Sequence, residues 1–321
     1  MKRIISFSFV LAAFAVLSAR KSGGTAFNPP GGIATRATAL AVFEGGHGSV
    51  LTFPATASGN VAPTTDLNGA TTTLSNNLNG SFDSSGNLWI TDYQLGDIVE
   101  FPASATGNVA PGKTIGGANT TLQAPWGIVV TKNGTIYVAD ANADAIDVFS
   151  AGTSGNVAPV TRIVGAATGL DYPAGLAVAA NGDIWVANQN SNSLAEFSSS
   201  ASGNATPIVT ISGALTTLSF PGGVALDAHG NVWVANSANN DLLEFASSAN
   251  ANVAPTNTIS GASIVSPWGV AIDGKGYIYE DDSTTPAVNV FAPNATGAAT
   301  PVQTITGAST DLNNLWGIAI N

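Results

Sequence analysis

Residues 173–197 read PAGLAVAANGDIWVANQNSNSLAEF, and this stretch decides the fold. Gly175-Leu176-Ala177-Val178-Ala179 forms a first strand. Asn181-Gly182 follows as a hairpin signal, because both residues tolerate the positive φ of tight β-turns. Ile184-Trp185-Val186-Ala187 is a second strand, Asn188 to Ser193 a polar loop, and Leu194-Ala195-Glu196-Phe197 a third strand. Beyond the quoted stretch, a Ser-Gly-Asn-x-x-Pro connection over 202–207 leads to a fourth strand, Ile208-Val209-Thr210-Ile211. A Gly213-Ala214 turn then starts the next unit. The periodicity is two throughout, with no helical window.

The same unit recurs along the chain. One phenylalanine returns at Phe53, Phe101, Phe149, Phe197, Phe245 and Phe291, in steps of 48, 48, 48, 48 and 46. Pro63, Pro111, Pro159, Pro207, Pro255 and Pro301 keep the same steps, as do Gly69, Gly117, Gly165, Gly213, Gly261 and Gly307. Three markers in one register predict six tandem four-stranded units. One such sheet cannot bury both faces, but six stacked around an axis can. The predicted fold is therefore all-β, a six-bladed β-propeller with four antiparallel strands per blade. The repeating Phe should plug the space between blades, each contributing roughly 1.5–3 kcal/mol on burial. Trp89, Tyr137, Trp185, Trp233 and Tyr279 share one second-strand position and should fill one layer. The first unit lacks a first strand, and Trp316-Gly317-Ile318-Ala319-Ile320 is a lone first strand. Joined, they complete a blade and close the ring, which removes open edges. Residues 38–321 are thus expected to form one domain.

The preceding residues read as export signals. Lys2 and Arg3 are a positive start, and Ile4 to Leu17 an apolar run too short for a comfortable transmembrane helix. Residues 1–19 are expected to be a signal peptide and 20–37 a flexible linker containing Pro29-Pro30-Gly31-Gly32. Leu17-Ser18-Ala19 resembles a bacterial lipoprotein signal, but Arg20 stands where the lipidated Cys belongs. A secreted or periplasmic monomer, with no transmembrane segment after cleavage, is the expectation. With no Cys in the chain, packing alone must hold the fold. Charged residues make up only 9% of the chain, and its net charge is −11. No basic patch follows from such a sequence, which argues against nucleic acid as a partner.

The pattern Pro-x-Gly-[Ile/Val]-Ala-[Val/Leu/Ile]…Gly-Asn-[Val/Leu]-Trp-Val-Ala-[Asn/Asp]…Phe, best matched over 173–197 and 221–245, resembles the NHL repeat. The resemblance extends to the SMP-30/gluconolactonase and virginiamycin B lyase-like propellers. It implies that the face carrying the Pro-x-Gly loops and the second-to-third-strand loops holds the site. In the lactonase relatives, several x positions are Asn or Asp and ligate calcium. Here they are Leu78, Trp126, Ala174, Gly222, Trp268 and Trp316, none of them an oxygen ligand. The lyase relatives use His and Glu at a metal. This chain has only His47, in a loop on the candidate face where it is a candidate ligand contact, and His229, expected to be a solvated turn residue in a hairpin on the opposite rim.

Three groups of residues are candidates for function. Trp126, Trp268 and Trp316 could form an aromatic platform or wedge between blades. The second-strand ends, Glu44, Asp92, Asp140, Asn188, Asn236 and Asp282, could face a ligand or cap loop amides. Blade six reads Glu280-Asp281-Asp282 where others read Val-Ala-Asn or Val-Ala-Asp. Buried acids at such positions need a partner, and calcium is one candidate. Alternation places adjacent residues on opposite faces, so at most two could easily share an ion. Three functions stay open: a non-catalytic module binding a protein, carbohydrate or small molecule; a metal-assisted hydrolase or lyase with an altered site; and a structural cell-surface repeat.

Overall fold

The computed structural model describes residues 36–321. Six four-stranded antiparallel sheets form the blades of a propeller. The fourth blade shows the pattern: Pro173–Val178, Ile184–Asn188, Ser193–Phe197 and Val209–Ile211, in that spatial order. The first strands of successive blades contact one another around the ring, so they line its axis. Blade one is composite. Leu315–Ile320 is its innermost strand and pairs antiparallel with Ala39–Glu44, Leu40 lying opposite Ile320 and Val42 opposite Ile318. The ring is therefore closed by the last strand, as the sequence predicts. The expected signal peptide and most of the linker lie outside the described residues. Among the described residues, no helix is long and apolar enough to cross a membrane.

Strand alternation gives each blade two apolar faces, and neighbouring blades bury them against each other. Trp185, Ala187, Leu194 and Ile211 of blade four pack on Val224, Val234, Leu243 and Phe245 of blade five. All six repeating Phe side chains are fully buried. The repeating Gly residues each start the outer turn with φ between 104° and 137°, backbone that favours glycine.

The Gly-Asn motif, which the sequence marks only as part of the connection to the fourth strand, reaches across to the preceding blade. Asn108 Oδ1 accepts the Thr71 N–H at 2.7 Å, capping the Gly69 turn. Asn156 does the same for Asn119, Asn204 for Ala167, Asn252 for Leu215 and Asn60 for Ser309. Asn60 acts across the ring closure. Only the junction of blades five and six lacks this staple, because Ala298 stands at the Asn position.

Arg36 and Ala37, assigned to the linker in the sequence reading, dock on blade six. The Arg36 guanidinium lies 3.7 Å from the centre of the Tyr277 ring and 3.6 Å from Asp273 Oδ2. The Ala37 N–H donates to the same carboxylate at 3.3 Å.

Candidate functional site

The first strands begin, and the second strands end, at one face of the ring. The residue after Pro, or after its equivalent, points from each first strand toward the axis. Trp126 comes from blade three, Trp268 from blade six and Trp316 from blade one. Their indoles meet although blades three and six stand opposite each other. Trp126 and Trp268 are stacked with centroids 5.7 Å apart, Trp268 and Trp316 lie at 4.4 Å, and Trp126 and Trp316 at 5.9 Å. Small residues at Ala174 and Gly222 leave room for this crossing. Platform and packing are therefore the same object. Trp126 is buried at 5% exposure, while Trp268 and Trp316 remain part-exposed above it.

Loop aromatics extend the cluster. Tyr93 and Tyr172 each meet Trp126 edge-on, at 6.1 and 5.9 Å, and their hydroxyls are 2.8 Å apart. Burial first, and then the Tyr93 hydroxyl, push the Tyr172 phenol well above its ordinary pKa, so it stays neutral. Phe220 packs edge-on against Trp268 at 5.8 Å. Tyr172 and Phe220 both have φ of 56°, a left-handed conformation that costs a bulky residue of order 1–3 kcal/mol. Each is pinned by the neighbouring blade: Asp144 Oδ1 accepts the Tyr172 N–H at 2.7 Å, and Asn192 Oδ1 the Phe220 N–H at 2.6 Å.

Above this floor lies a cavity of about 410 Å³, within the size range of small-ligand sites. Besides the aromatics it is lined by Gly45, Gly46, Asn76, Leu78, Gln189 and Asn314, and no charged side chain contributes. Gln189 is 2% exposed, and its amide nitrogen has no hydrogen-bond partner. The Trp316 indole N–H also lacks an acceptor. It lies against Gly45, where an added Cβ would meet the ring at 2.5 Å, so that position needs glycine. A larger hollow of about 450 Å³ between blades two and three is lined by loop residues, and its Arg162 is committed to Asp147 at 3.3 Å.

The second-strand ends do not face this cavity. Each reaches sideways to the loop that leads into its blade's first strand. Asp92 accepts the Ser75 N–H at 2.6 Å, Asp140 those of Gln123 and Ala124 at 2.9 and 2.8 Å, Asn188 that of Asp171 at 3.2 Å, and Asn236 that of Ser219 at 2.6 Å. Glu44 holds Asn313 in the same way, and Asp282 holds Val265. All six are buried. Burial raises the pKa of Glu44, Asp140 and Asp282, opposed by these amide bonds. His47 is exposed beside the cavity without lining it, its Nε2 3.0 Å from Asn313 Nδ2. His229 is a solvated turn residue next to Asp227.

Glu280 and Asp281 are fully buried but point to opposite faces of their strand, and Asp282 is occupied by the amides of Val265, Thr284 and Thr285. Glu280 Oε2 accepts from Asn289 at 3.0 Å, while its Oε1 has no partner. Asp281 Oδ1 accepts the Gly269 N–H at 2.5 Å, and its Oδ2 has no partner. Burial drives both carboxyls up, Glu280 far above the usual range and Asp281 to about 7. Burial thus favours the protonated form of both carboxyls. The trio does not fit calcium, which takes six to eight oxygens. Among the described residues, no three His, Cys, Asp or Glu side chains gather as a metal centre.

Fold and site together define a six-bladed propeller whose channel mouth is closed by aromatic side chains. The family model for the SMP-30/gluconolactonase/LRE-like region matches residues 15–222, well over half the chain, and the chain belongs to this family. No functionally curated protein matches it in sequence. Among solved structures, a chain of the nidogen/laminin complex has a TM-score of 0.60 at 18% identity, covering 88% of this chain and 97% of that one. A protein of unknown function from Bacteroides caccae has a TM-score of 0.63 at 9% identity, covering 89% and 99%. A catalytically inactive virginiamycin B lyase from Staphylococcus aureus, with quinupristin, has a TM-score of 0.51 at 15% identity, covering 73% and 71%. These likenesses bear on the fold alone.

The sequence singles out the three Trp residues that meet at the axis. It misses Tyr93, Tyr172, Gln189 and Phe220. Tyr172 and Phe220 directly precede the Pro of a repeat, and Tyr93 and Gln189 directly follow a second strand, so two further repeat columns carry the signal.

Proposed function

We propose that this protein is an exported, non-catalytic binding module that takes its ligand on the aromatic floor of the channel mouth. One observation carries the reading: indoles from blades one, three and six converge under a cavity that no charged side chain lines. At the positions where the family resemblance implies calcium ligands, this chain supplies hydrocarbon and indole. The cavity lining holds no His, carboxylate or Lys, the usual general bases of hydrolysis or elimination, and its two tyrosine hydroxyls are engaged with each other. Export rests on Lys2, Arg3 and the apolar run to Leu17. Chains of this fold occur in the nidogen/laminin complex and in the lyase structure with quinupristin, which is compatible with a binding role.

The test uses the full mature chain. Tryptophan fluorescence is titrated with neutral oligosaccharides, short uncharged peptides and tetramethylammonium, and gluconolactone hydrolysis is assayed with and without calcium. The expected result is a saturable fluorescence change with at least one probe, lost in the Trp126→Ala/Trp316→Ala double variant while its circular dichroism is retained, and no hydrolysis. Lactone turnover that survives the double substitution, or silence towards every probe, overturns the proposal.

A further inference from the structure

We infer that the ligand is a neutral saccharide, stacked on the Trp268 and Trp316 faces and hydrogen-bonded by Gln189. This rests on the binding reading above and narrows it. A buried amide nitrogen without an acceptor costs roughly 1–3 kcal/mol, so Gln189 at 2% exposure is an unmet demand beside the cavity. The Trp316 N–H adds a second donor without a partner. An oxygen acceptor would satisfy either donor. An organic cation would enjoy the aromatic faces but offers no acceptor, which leaves both donors unmet.

A charged ligand fits poorly for a different reason. With no Lys, Arg, Asp or Glu in the lining, a carboxylate or phosphate would be desolvated without a counter-charge. A sugar hydroxyl avoids both difficulties, because it accepts and donates while remaining neutral. The polar rim is of the matching kind: Asn76, Asn314 and Gln189 are amides, which also do both. The outward-pointing C–H bonds of a pyranose present a weakly positive face to the negative face of an indole. A peptide carbonyl could also meet the donors. Its flat, extended backbone, however, would leave its own N–H groups over the apolar floor.

The experiment compares neutral, anionic and cationic probes on the intact mature chain by calorimetry and tryptophan fluorescence. The neutral set is cellohexaose, chitohexaose, maltohexaose and mannohexaose. The others are a galacturonate hexamer, an Ala-Gly-Ser hexapeptide and tetramethylammonium. At least one neutral oligosaccharide should bind saturably, with the galacturonate hexamer weaker than the best neutral probe. Gln189→Leu should weaken that binding by on the order of tenfold or more while leaving the melting temperature within a few degrees, because the side-chain nitrogen makes no bond within the protein. Gln189→Asn, a shorter amide, should lose less than Gln189→Leu. Binding of tetramethylammonium or the hexapeptide in place of all four sugars would overturn the saccharide inference and leave the binding module standing. Silence towards every probe would overturn both.

Discussion

The outer belt of the propeller and its channel mouth are built from the same repeat, yet they treat it oppositely. In the belt, blades are interchangeable: a fully buried Phe in every blade, a positive-φ Gly at every outer turn and an Asn staple at five of six junctions. At the mouth, the blades are not interchangeable. One column holds Leu78, Trp126, Ala174, Gly222, Trp268 and Trp316, and the small Ala174 and Gly222 face Trp316 and Leu78 across the ring, which leaves room for three indoles at the axis. Six equivalent side chains of indole size could not all reach one axis. The difference teaches that symmetry serves cohesion here, and its loss makes a site.

The sharpest way to break this comparison is to cut one residue from each region. Phe197→Ala should destabilise the fold by about 3–5 kcal/mol, as large buried side chains do. Trp268→Ala, part-exposed at the mouth, should cost less than half as much while removing most of the ligand response. Urea denaturation measures both, and equal losses would mean that the mouth is core after all.

Blade six offers the next largest effect, because there a second-strand position departs from the repeat. Asp281 stands where other blades have Ala139, Ala187 and Ala235, and burial lifts its carboxyl from 3.8 to about 7. The raised value means that the folded state favours the protonated acid. Between those two pH values the unfolded chain has released the proton and the folded one has kept it. Stability should therefore fall as pH rises through that window, and level off above it. The change for this group is on the order of a few kcal/mol. Asp281→Asn keeps an acceptor for the Gly269 N–H and cannot ionise, so it should lessen a slope to which Asp97, Asp147 and Glu280, also raised by burial, contribute, and be the more stable protein at neutral pH. A variant with an unchanged pH slope would show that Asp281 does not set it.

The smallest effects concern the staples. Asn156→Ala should cost about 1 kcal/mol, the usual worth of a cap on orphan amides. Ala298→Asn should return somewhat less, by supplying the missing sixth staple at the Gly261 turn. Thermal melts of both variants decide this. A destabilised Ala298→Asn protein would show that the junction of blades five and six is relaxed in a way that the other five are not.

The fold was legible because its determinants are local and repeated. Alternating apolar residues set the strands, Asn-Gly pairs set the hairpins, and the incomplete first unit and surplus last strand announced the closure of blade one. The second-strand ends were legible only as a choice between ligand and loop contacts. The loops claim them, because an Asp or Asn at that point lies within reach of amides that its own blade leaves open. The Gly-Asn staples were visible as a motif and invisible as contacts, since their partners sit about 37 residues earlier in the neighbouring blade.

What the sequence by itself determined was the number of blades, their strand order, the closure, and which three blades place a Trp at the channel. Those follow from period, pattern and turn chemistry, each a property of residues close along the chain. Only the tertiary structure decided that Trp126 and Trp268 stack across the axis, that Tyr93 and Tyr172 join hydroxyls between blades, and that Gln189 is buried without a partner. It also decided that Glu280 and Asp281 are buried on opposite faces of their strand, where burial raises both carboxyl pKa values. These depend on how far side chains from different blades extend toward a common axis and on what space remains between them, quantities that exist only once the ring has closed.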